Sequence, residues 1–304
     1  MITLGSIAVI TAIGLDTIIR EPPAFAHPVA LFGRVIDLID QSYANPTVVG
    51  ILITATFPVG FAATTAAIVS VALSVNSRLG AVTAGCVLFT LVSLRLLLTT
   101  VHDVVVMSTV DLSAARHDLR ALAGRDASEL DAAHIRSAAV ESAAENLADG
   151  FIGPLLAFTM CAPVSISGGV AGAAWVKAIN TLDSMLGYHS NPLGTAPARV
   201  DDIVMWVPAR LTAALLSIAV GQPFLPLQQQ VRADAAQTTS PNAGWPMATM
   251  AALLPARLHK LDTYELQASA SLPNKSMATA AVQVTRRAGI IAIVITVIAL
   301  EVVQ

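Results

Sequence analysis

The chain has 304 residues, of which 55% are hydrophobic and 12% are charged, and its mean hydropathy is +0.70. This composition is too apolar for an ordinary soluble domain and too poor in charge for a disordered chain, so it predicts a membrane protein. A formal net charge of −3 without any Lys- or Arg-rich run argues against nucleic acid as a partner. Cys86 and Cys161 both lie in apolar segments, so they offer neither a disulfide framework nor a zinc site.

Several apolar segments are long enough to cross a bilayer, whose core requires about 20 helical residues. The predicted spans are residues 1–19, 47–75, 80–101 and the shorter 289–303. Residues 151–176 and 203–221 are also apolar, but proline, glycine or charged residues interrupt them, so we expect re-entrant or broken helices there. The predicted fold class is an all-α, polytopic membrane protein with four to six membrane segments.

Loop charge does not decide how many segments cross, because arrangements with four and with six spans both place most Lys and Arg inside. With six spans, the polar motifs of residues 141–150 and 177–202 would face opposite sides of the membrane. With four spans they share one side, so we expect four, in a bacterial plasma membrane, with the motifs facing the cytoplasm. All of residues 1–304 would then form one membrane-embedded domain. Its parts outside the spans are a helical region at 102–150, a motif loop at 177–202 and a second extramembrane region at 222–288.

The helical region at residues 102–150 carries the first polar motif. Apolar residues at helical spacing predict a helix that ends at Gly124, and the pair Asp126 and Glu129 resembles a capping box for the next helix. That second helix ends with Glu141, Glu145 and Asp149, whose spacing of four stacks three carboxylates on one face. Like charges repel and oppose the dipole at a helix C-terminus, so we expect a cation beside them. The alternative is a plain solvated face.

The second polar motif combines a cation, an amide and acids. Lys177, Asn180 and Ser184 follow at helical spacing, with Asp183 one turn from Asn180. A turn at residues 191–194 separates them from the segment 199–210. That segment contributes Arg199, Asp201, Asp202 and Arg210. Guanidinium groups suit carboxylate and phosphate, and adjacent acids suit Mg²⁺. The alternative is a set of internal salt bridges: Arg199 with Asp201 or Asp202, and Lys177 with Asp183.

Two smaller features could belong to the same site. His27 follows a proline-rich turn and is either a site residue or a structural histidine. The segment 240–246, which contains Asn242 and Trp245, is either a loop that packs on a ligand or an interfacial tryptophan anchor. Neither a P-loop nor a G-x-G-x-x-G fingerprint occurs, so a nucleotide would be held by other means.

Long motifs carry a resemblance to a known family. In chain order they are DTIIREPPAFAHPVALFGR, GRDASEL, VESAAENLADGFIGPL, KAINTLDSMLGY, ARVDDIVMWVPARLTA and SPNAGWP. From about residue 16 to about residue 254 the sequence resembles the adenosylcobinamide-phosphate synthase family of cobalamin (vitamin B12) biosynthesis. The resemblance implies an integral membrane amide ligase. It would join the free propionate carboxylate of adenosylcobyric acid to aminopropanol or its O-phosphate, with ATP as co-substrate and Mg²⁺ as cofactor.

The implied reaction assigns roles to the polar residues. Activation of a carboxylate by ATP needs a divalent cation and fixed positive charge around the transferred phosphoryl group. The candidate metal ligands are Glu141, Glu145, Asp149, Asp201 and Asp202. The candidate substrate- and phosphate-binding residues are His27, Lys177, Arg199, Arg210 and Asn242. The candidate catalytic residues are Glu145, Asn146, Asp149, Asn180 and Asp183.

Other classes of function stay open at this stage. A membrane transporter for an amphipathic anion and a non-catalytic sensor related to the family would also need a polar cavity in an apolar shell. The expected partners are the corrinoid, the amine, the nucleotide and membrane lipid. Three arrangements stay open: the chain by itself, a homo-oligomer, and the chain with another enzyme of the pathway bound to residues 222–288.

Overall fold

The computed structural model describes residues 2–19, 21–124, 126–188 and 190–303. Helices make up most of it, which confirms the all-α prediction apart from one short hairpin. The first helices are α1 (Leu4–Ile19), α2 (Pro28–Ile39), α3 (Pro46–Val75), α4 (Ser77–Phe89), α5 (Arg95–Val110), α6 (Leu112–Ala123) and α7 (Ala132–Leu147). A π-helical turn (Ala148–Ile152) leads to α8 (Gly153–Cys161) and α9 (Ile166–Leu186), and a 3₁₀ turn (Pro192–Gly194) leads to α10 (Thr195–Val204). The remaining elements are α11 (Trp206–Val220), α12 (Phe224–Ala235), α13 (Gly244–Leu253), β1 (Leu258–Lys260), β2 (Tyr264–Leu266) and α14 (Lys275–Val303).

The chain divides into two compact units, which are described separately. Unit 1 comprises Met1–Ser93, Asp149–Met205 and Ile293–Gln304. Unit 2 comprises Leu94–Ala148 and Trp206–Ala292. Each unit is therefore assembled from segments that are far apart in the sequence.

Helix α9 organises unit 1. It packs against α2, α3, α4, α8 and α10. Ala178, Leu182 and Leu186, spaced four residues apart, form a buried core with Phe32 of α2 and Ile53 of α3. The polar residues of α9 therefore lie on its other faces.

A close turn places α10 beside α9. The 3₁₀ turn packs against α3, and the Asn191 side chain accepts a hydrogen bond of 3.1 Å from the Leu193 N–H. A Cβ atom added to Gly194 would collide with the backbone carbonyl of Leu186, so only glycine allows this approach. The turn brings Asp201 of α10 into electrostatic contact with Asp183 of α9.

Helix α7 is central to unit 2. It packs against α5, α6, α13 and β1, and its residues from Ile135 to Leu147 are buried on several faces. The antiparallel hairpin β1–β2 pairs Leu258 with Leu266 and Lys260 with Tyr264. This hairpin, which the sequence did not predict, places Tyr264 next to α7.

Three local predictions were wrong. Residues 80–101 do not form one helix, because the chain turns between Phe89 and Arg95, where the backbone N–H of Ser93 donates to the carbonyl of Gly150. Asp126 does not cap α7: its side chain binds the Ser128 N–H within the loop, and Asp131 caps α7 instead. The motif region 177–202 is not a loop but consists mainly of α9 and α10.

Other local predictions were confirmed. Helix α6 ends at Gly124, whose φ of 59° lies in the left-handed region that favours glycine. The apolar stretch 151–176 is broken between Cys161 and Ile166, as its composition predicted.

Within the described residues, one helix is long and apolar enough to cross a membrane, namely α3. Residues 192–220 comprise the 3₁₀ turn, α10 and α11. They pass the same test only if they are counted as one span with a break in it. Helices α1 and α4 are apolar but shorter. The four to six membrane segments stay a prediction.

Candidate functional site

A cavity of about 590 Å³ lies in unit 1. One wall is the face of α9 formed by Lys177, Thr181 and Met185, which are spaced four residues apart. The others are the segment after α1 with the start of α2, and the turn that follows α4. The polar groups at its surface include Glu21, His27, Ser93 and Lys177, whereas Val29, Ala30, Leu91 and Val92 supply apolar surface. An apolar cavity with a few convergent polar groups is typical of a small-molecule site.

Glu21 and His27 form a pair at this cavity. The Ser93 hydroxyl donates a hydrogen bond of 2.7 Å to Oε1 of Glu21, and Oε2 of Glu21 lies 3.8 Å from Nε2 of His27. Nδ1 of His27 is buried and has no hydrogen-bond partner among the described residues. Burial lowers the pKa of His27 below its usual value; Glu21 opposes this effect, and Lys177 adds to it. The neutral imidazole is thus favoured at neutral pH.

Lys177 is the cation of the site. Its side chain is half-buried and lines the cavity. Burial lowers its pKa, and the nearby carboxylates of Asp149, Glu21 and Asp201 act in the opposite direction. The sequence predicted a cation near the acidic helix end, and for Asp149 the structure provides Lys177. Asp149 itself lies in a π-helical turn, a distortion that is frequent at functional sites.

Three carboxylates gather where α10 meets α9. Burial, followed by the charge of Asp202, raises the pKa of Asp183 to about 6. Burial, together with the charges of Asp183 and Asp202, raises the pKa of Asp201 to about 7, although Asn180 and Lys177 act in the opposite direction. Oδ1 of Asp201 is buried without a hydrogen-bond partner among the described residues. Such mutual repulsion is typical of a site that is completed by a cation.

The salt bridges predicted from the sequence occur only in part. Nη1 of Arg199 lies 3.9 Å from Oδ2 of Asp202, and the Arg199 side chain is 80% exposed. Burial raises the pKa of Asp202, and Arg199 opposes this effect. The acids that act on Lys177 are Asp149, Glu21 and Asp201, so the predicted pair with Asp183 is not the one found.

Magnesium would need ligands beyond the protein in this site. No group of three or more His, Cys, Asp or Glu side chains among the described residues is arranged to hold a metal ion. Mg²⁺ often binds through only one or two carboxylates and completes its shell with water and substrate phosphate. The unpartnered Oδ1 of Asp201 and the neighbouring Asp202 fit that mode of binding.

Unit 2 holds Glu141 in a closed network. Glu141 is only 2% exposed, so it does not belong to a solvated face. Its two carboxylate oxygens accept hydrogen bonds of 2.9 Å from the hydroxyls of Ser137 and Tyr264. Ser137 also accepts a hydrogen bond of 2.8 Å from the backbone N–H of His259. These contacts tie α7 to the hairpin.

Farther along α7, Glu145 is half-buried, and the Asn146 amide donates to the carbonyl of Leu122 at 3.4 Å.

Arg210 is held between two tryptophans. Its guanidinium carbon lies 4.3 Å from the ring centroid of Trp206 and 4.7 Å from that of Trp245. Nη1 donates to Oδ1 of Asn242 at 2.9 Å and to the carbonyl of Trp206 at 2.8 Å. The predicted substrate-binding residues Arg210 and Asn242 therefore bind each other, and Trp245 packs on Arg210.

Comparison with known proteins identifies the family. The family model described as CobD/Cbib protein matches residues 9–297. The chain belongs to the CobD/CbiB family. No solved structure matches.

Relatives of this chain carry consistent names. A probable cobalamin biosynthesis protein CobD of Methanothrix thermoacetophila is 32% identical and covers 93% of each chain. The cobalamin biosynthesis protein CobD of Photorhabdus laumondii is 35% identical, over 80% of this chain and 79% of its own. That of Rhodobacter capsulatus is also 35% identical, over 82% of this chain and 80% of its own.

The predicted site residues of this CobD/CbiB member are divided between the two units. Unit 1 contains His27, Asp149, Lys177, Asn180, Asp183, Arg199, Asp201 and Asp202. Unit 2 contains Glu141, Glu145, Asn146, Arg210 and Asn242. Sequence reasoning missed Glu21 and Ser93 at the cavity, as well as Tyr264 beside Glu141. Glu21 directly precedes the proline-rich turn that leads to His27, and this position was the available signal.

Proposed function

We propose that the protein is a membrane-bound amide ligase of cobalamin biosynthesis. It would couple adenosylcobyric acid to aminopropanol or aminopropanol O-phosphate. Family membership over residues 9–297, and relatives that are named cobalamin biosynthesis proteins, support the general role. The motifs quoted above, which resemble adenosylcobinamide-phosphate synthases, support the choice of reaction.

The observation that carries the proposal is the charge arrangement of unit 1. Lys177 lines the cavity and stands near Asp149, Glu21 and Asp201. Burial and the charges of Asp183 and Asp202 raise the pKa of Asp201, and Oδ1 of Asp201 lacks a partner among the described residues. Buried polar groups are normally hydrogen-bonded, so this arrangement is costly for the protein alone. It becomes favourable when a cation and an anionic substrate are bound. The cavity volume of about 590 Å³ lies in the usual range for ligand sites, roughly 300–1,000 Å³.

The reaction needs carboxylate activation, because a carboxylate and an amine do not condense spontaneously at neutral pH. We propose that ATP phosphorylates the propionate carboxylate, and that the amine then displaces phosphate. Asp201, with Asp202 or Asp183, would hold Mg²⁺, which neutralises charge on the phosphates when it is bound.

Lys177 acts on the substrates, and Asn180 and Asp149 act through neighbouring side chains. The ammonium group of Lys177 stabilises negative charge on the acyl group and its phosphate. Asn180, which donates a hydrogen bond to Asp201, fixes the orientation of that carboxylate. Asp149 keeps Lys177 protonated, because a nearby carboxylate raises the pKa of the lysine.

Mass analysis of the corrinoid tests the proposal. Protein purified in detergent is incubated with adenosylcobyric acid, ATP, Mg²⁺ and either aminopropanol or its O-phosphate. We expect a corrinoid heavier by the amine less one water, formed only when ATP is present. Unchanged corrinoid that crosses a vesicle membrane would instead favour the transporter, and binding without turnover would favour the sensor.

A further inference from the structure

We propose that His27, paired with Glu21, is the base that removes a proton from the substrate ammonium group. This inference rests on the proposed ligase function and deepens it. It assigns the cavity to the smaller substrate, a short primary alkylammonium. It also gives a role to Glu21 and Ser93, two cavity residues that the ligase proposal leaves without one.

Glu21 contacts Ser93 through one carboxylate oxygen and faces His27 with the other. The Ser93 hydroxyl donates to Oε1 of Glu21 at 2.7 Å, which leaves Oε2 facing Nε2 of His27 at 3.8 Å. A carboxylate on one ring nitrogen favours the proton on that nitrogen. The lone pair then lies on Nδ1, which is buried and without a hydrogen-bond partner among the described residues. The order of hydroxyl, carboxylate and imidazole is that of a histidine base beside a carboxylate, and the 3.8 Å between Oε2 and Nε2 is an ionic contact that would have to shorten to become a hydrogen bond.

A purely structural role leaves the ring unexplained. His27 occupies the N-cap position of α2, where a side chain commonly binds the free N–H groups of the first turn. Its imidazole makes no such capping bond. The side chain is nevertheless only 12% exposed, and it lines the cavity. The ring lines the cavity and is not used for capping, so the inference requires the imidazole to turn its buried Nδ1 towards a bound ammonium group.

The charged groups around His27 suit a base at neutral pH. The groups that act on the imidazole are Glu21, before α2, and Lys177, on α9. Burial and Lys177 favour the neutral ring that can accept a proton. Once the ring is protonated, Glu21 stabilises the imidazolium. Val29, Ala30 and Met185 offer apolar contacts to a short alkyl chain.

The proton balance is complete with one base. An alkylammonium carries three protons on nitrogen, and the amide product keeps one. One proton passes to Nδ1 of His27, and the nitrogen lone pair attacks the acyl phosphate carbon. As the C–N bond forms, the C–O bond to phosphate breaks, and the departing phosphate takes the second proton. The imidazolium then returns its proton to water.

The test compares two amines in the purified full-length enzyme. Aminopropanol O-phosphate is mostly protonated at neutral pH and needs a base, whereas hydroxylamine is largely unprotonated and does not. For His27→Gln we expect amide formation to fall about 10²- to 10³-fold, in the range found for general base catalysis. Hydroxamate formation should change less than threefold. The deficit with aminopropanol O-phosphate should shrink as pH rises towards the pKa of the amine itself.

Matched variants separate this outcome from others. Glu21→Gln should also slow amide formation without slowing hydroxamate formation, by about one tenth of the factor expected for His27→Gln. His117→Gln, at an exposed histidine of α6, should change neither the amide rate nor the hydroxamate rate. Equal losses with both amines for His27→Gln, at every pH, would overturn the inference and leave the ligase function standing. A wild-type protein that forms neither amide nor hydroxamate overturns the ligase proposal and the inference together.

Discussion

Four polar residues, two in each unit, differ in how their hydrogen bonds are satisfied: Glu141 and Arg210 in unit 2, and Asp201 and His27 in unit 1. In unit 2, both oxygens of Glu141 accept hydroxyl protons, and Arg210 binds carbonyl and amide oxygens between two aromatic rings. In unit 1, Oδ1 of Asp201 and Nδ1 of His27 have no partner among the described residues. A satisfied network stabilises a fold, whereas an unsatisfied one marks a place for a ligand. Charged residues that look alike in the sequence therefore differ in function.

The largest effect is expected at the cation of unit 1. Lys177→Met removes the positive charge that Asp149, Glu21 and Asp201 share. We expect the coupling rate per folded molecule to fall about 10³-fold, since loss of one preorganised charge or donor at a developing negative charge costs about 10²–10³-fold. The corrinoid product is quantified by mass. Lys275→Met, at an exposed lysine of α14, is the control and should keep the wild-type rate.

Asp201→Asn should separate activity from stability. The pKa of about 7 exceeds the ordinary 3.8, so the folded state binds a proton that the unfolded state has lost. Ionisation of Asp201 therefore lowers stability progressively as pH rises from about 4 to 7, and the loss is complete above 7. With EDTA present to remove metal ions, we expect the free energy of unfolding of the variant at pH 8 to exceed that of wild type by roughly 1–4 kcal/mol. Each unit of difference between the folded and unfolded pKa contributes about 1.4 kcal/mol.

The same variant should lose at least about 10²-fold in coupling rate, because it removes a proposed ligand of Mg²⁺. Thermal unfolding at pH 4 and pH 8 measures the stability difference, and Asp37→Asn at an exposed position of α2 is the control. A stability gap that does not change with pH would contradict the charge repulsion described for Asp201.

In unit 2 the effect should be on stability alone. Tyr264→Phe removes the hydroxyl that donates to Oε2 of Glu141, and a hydrogen bond to a charged group contributes about 1.5–3 kcal/mol. We expect a lower unfolding temperature, with a coupling rate per folded molecule within threefold of wild type. Tyr188→Phe, at a tyrosine that is 62% exposed, should change neither quantity. A selective loss of activity in Tyr264→Phe would assign Glu141 to the catalytic site.

The smallest effect is expected at the surface pair. Arg199 is 80% exposed and lies 3.9 Å from Asp202. Exposed ion pairs contribute between about 0.2 and 1 kcal/mol, so Arg199→Ala should change unfolding free energy by less than about 0.5 kcal/mol. Denaturant unfolding at low and high salt provides the measurement. A larger change that persists in high salt would show that the pair has a structural role.

The sequence predicted the local helices well where apolar spacing and glycine were informative. Helix α6 with its end at Gly124, the break between α8 and α9, and the helical spacing of Lys177 and Asn180 were all confirmed. The span predicted at 80–101 was wrong, because hydropathy does not reveal that the Ser93 N–H binds Gly150. Such a long-range hydrogen bond has no local sequence pattern.

The candidate site could be predicted only as a set of residue types. Glu141 and Asp149 look equivalent in the sequence, yet the first is enclosed by Ser137 and Tyr264, whereas the second acts on Lys177. The difference depends on a hairpin more than 100 residues away in the chain, at Tyr264. Glu21 was missed for the same reason, since only the fold brings Ser93 to it.

The most direct test of the contrast between the two units measures Lys177→Met and Tyr264→Phe side by side. Amide product per folded molecule is determined by mass with saturating ATP and Mg²⁺, and the folded fraction is determined from the same samples. The account predicts a loss of about 10³-fold for Lys177→Met and a rate within threefold of wild type for Tyr264→Phe. Equal losses in the two variants, or an unchanged rate in Lys177→Met, would contradict it.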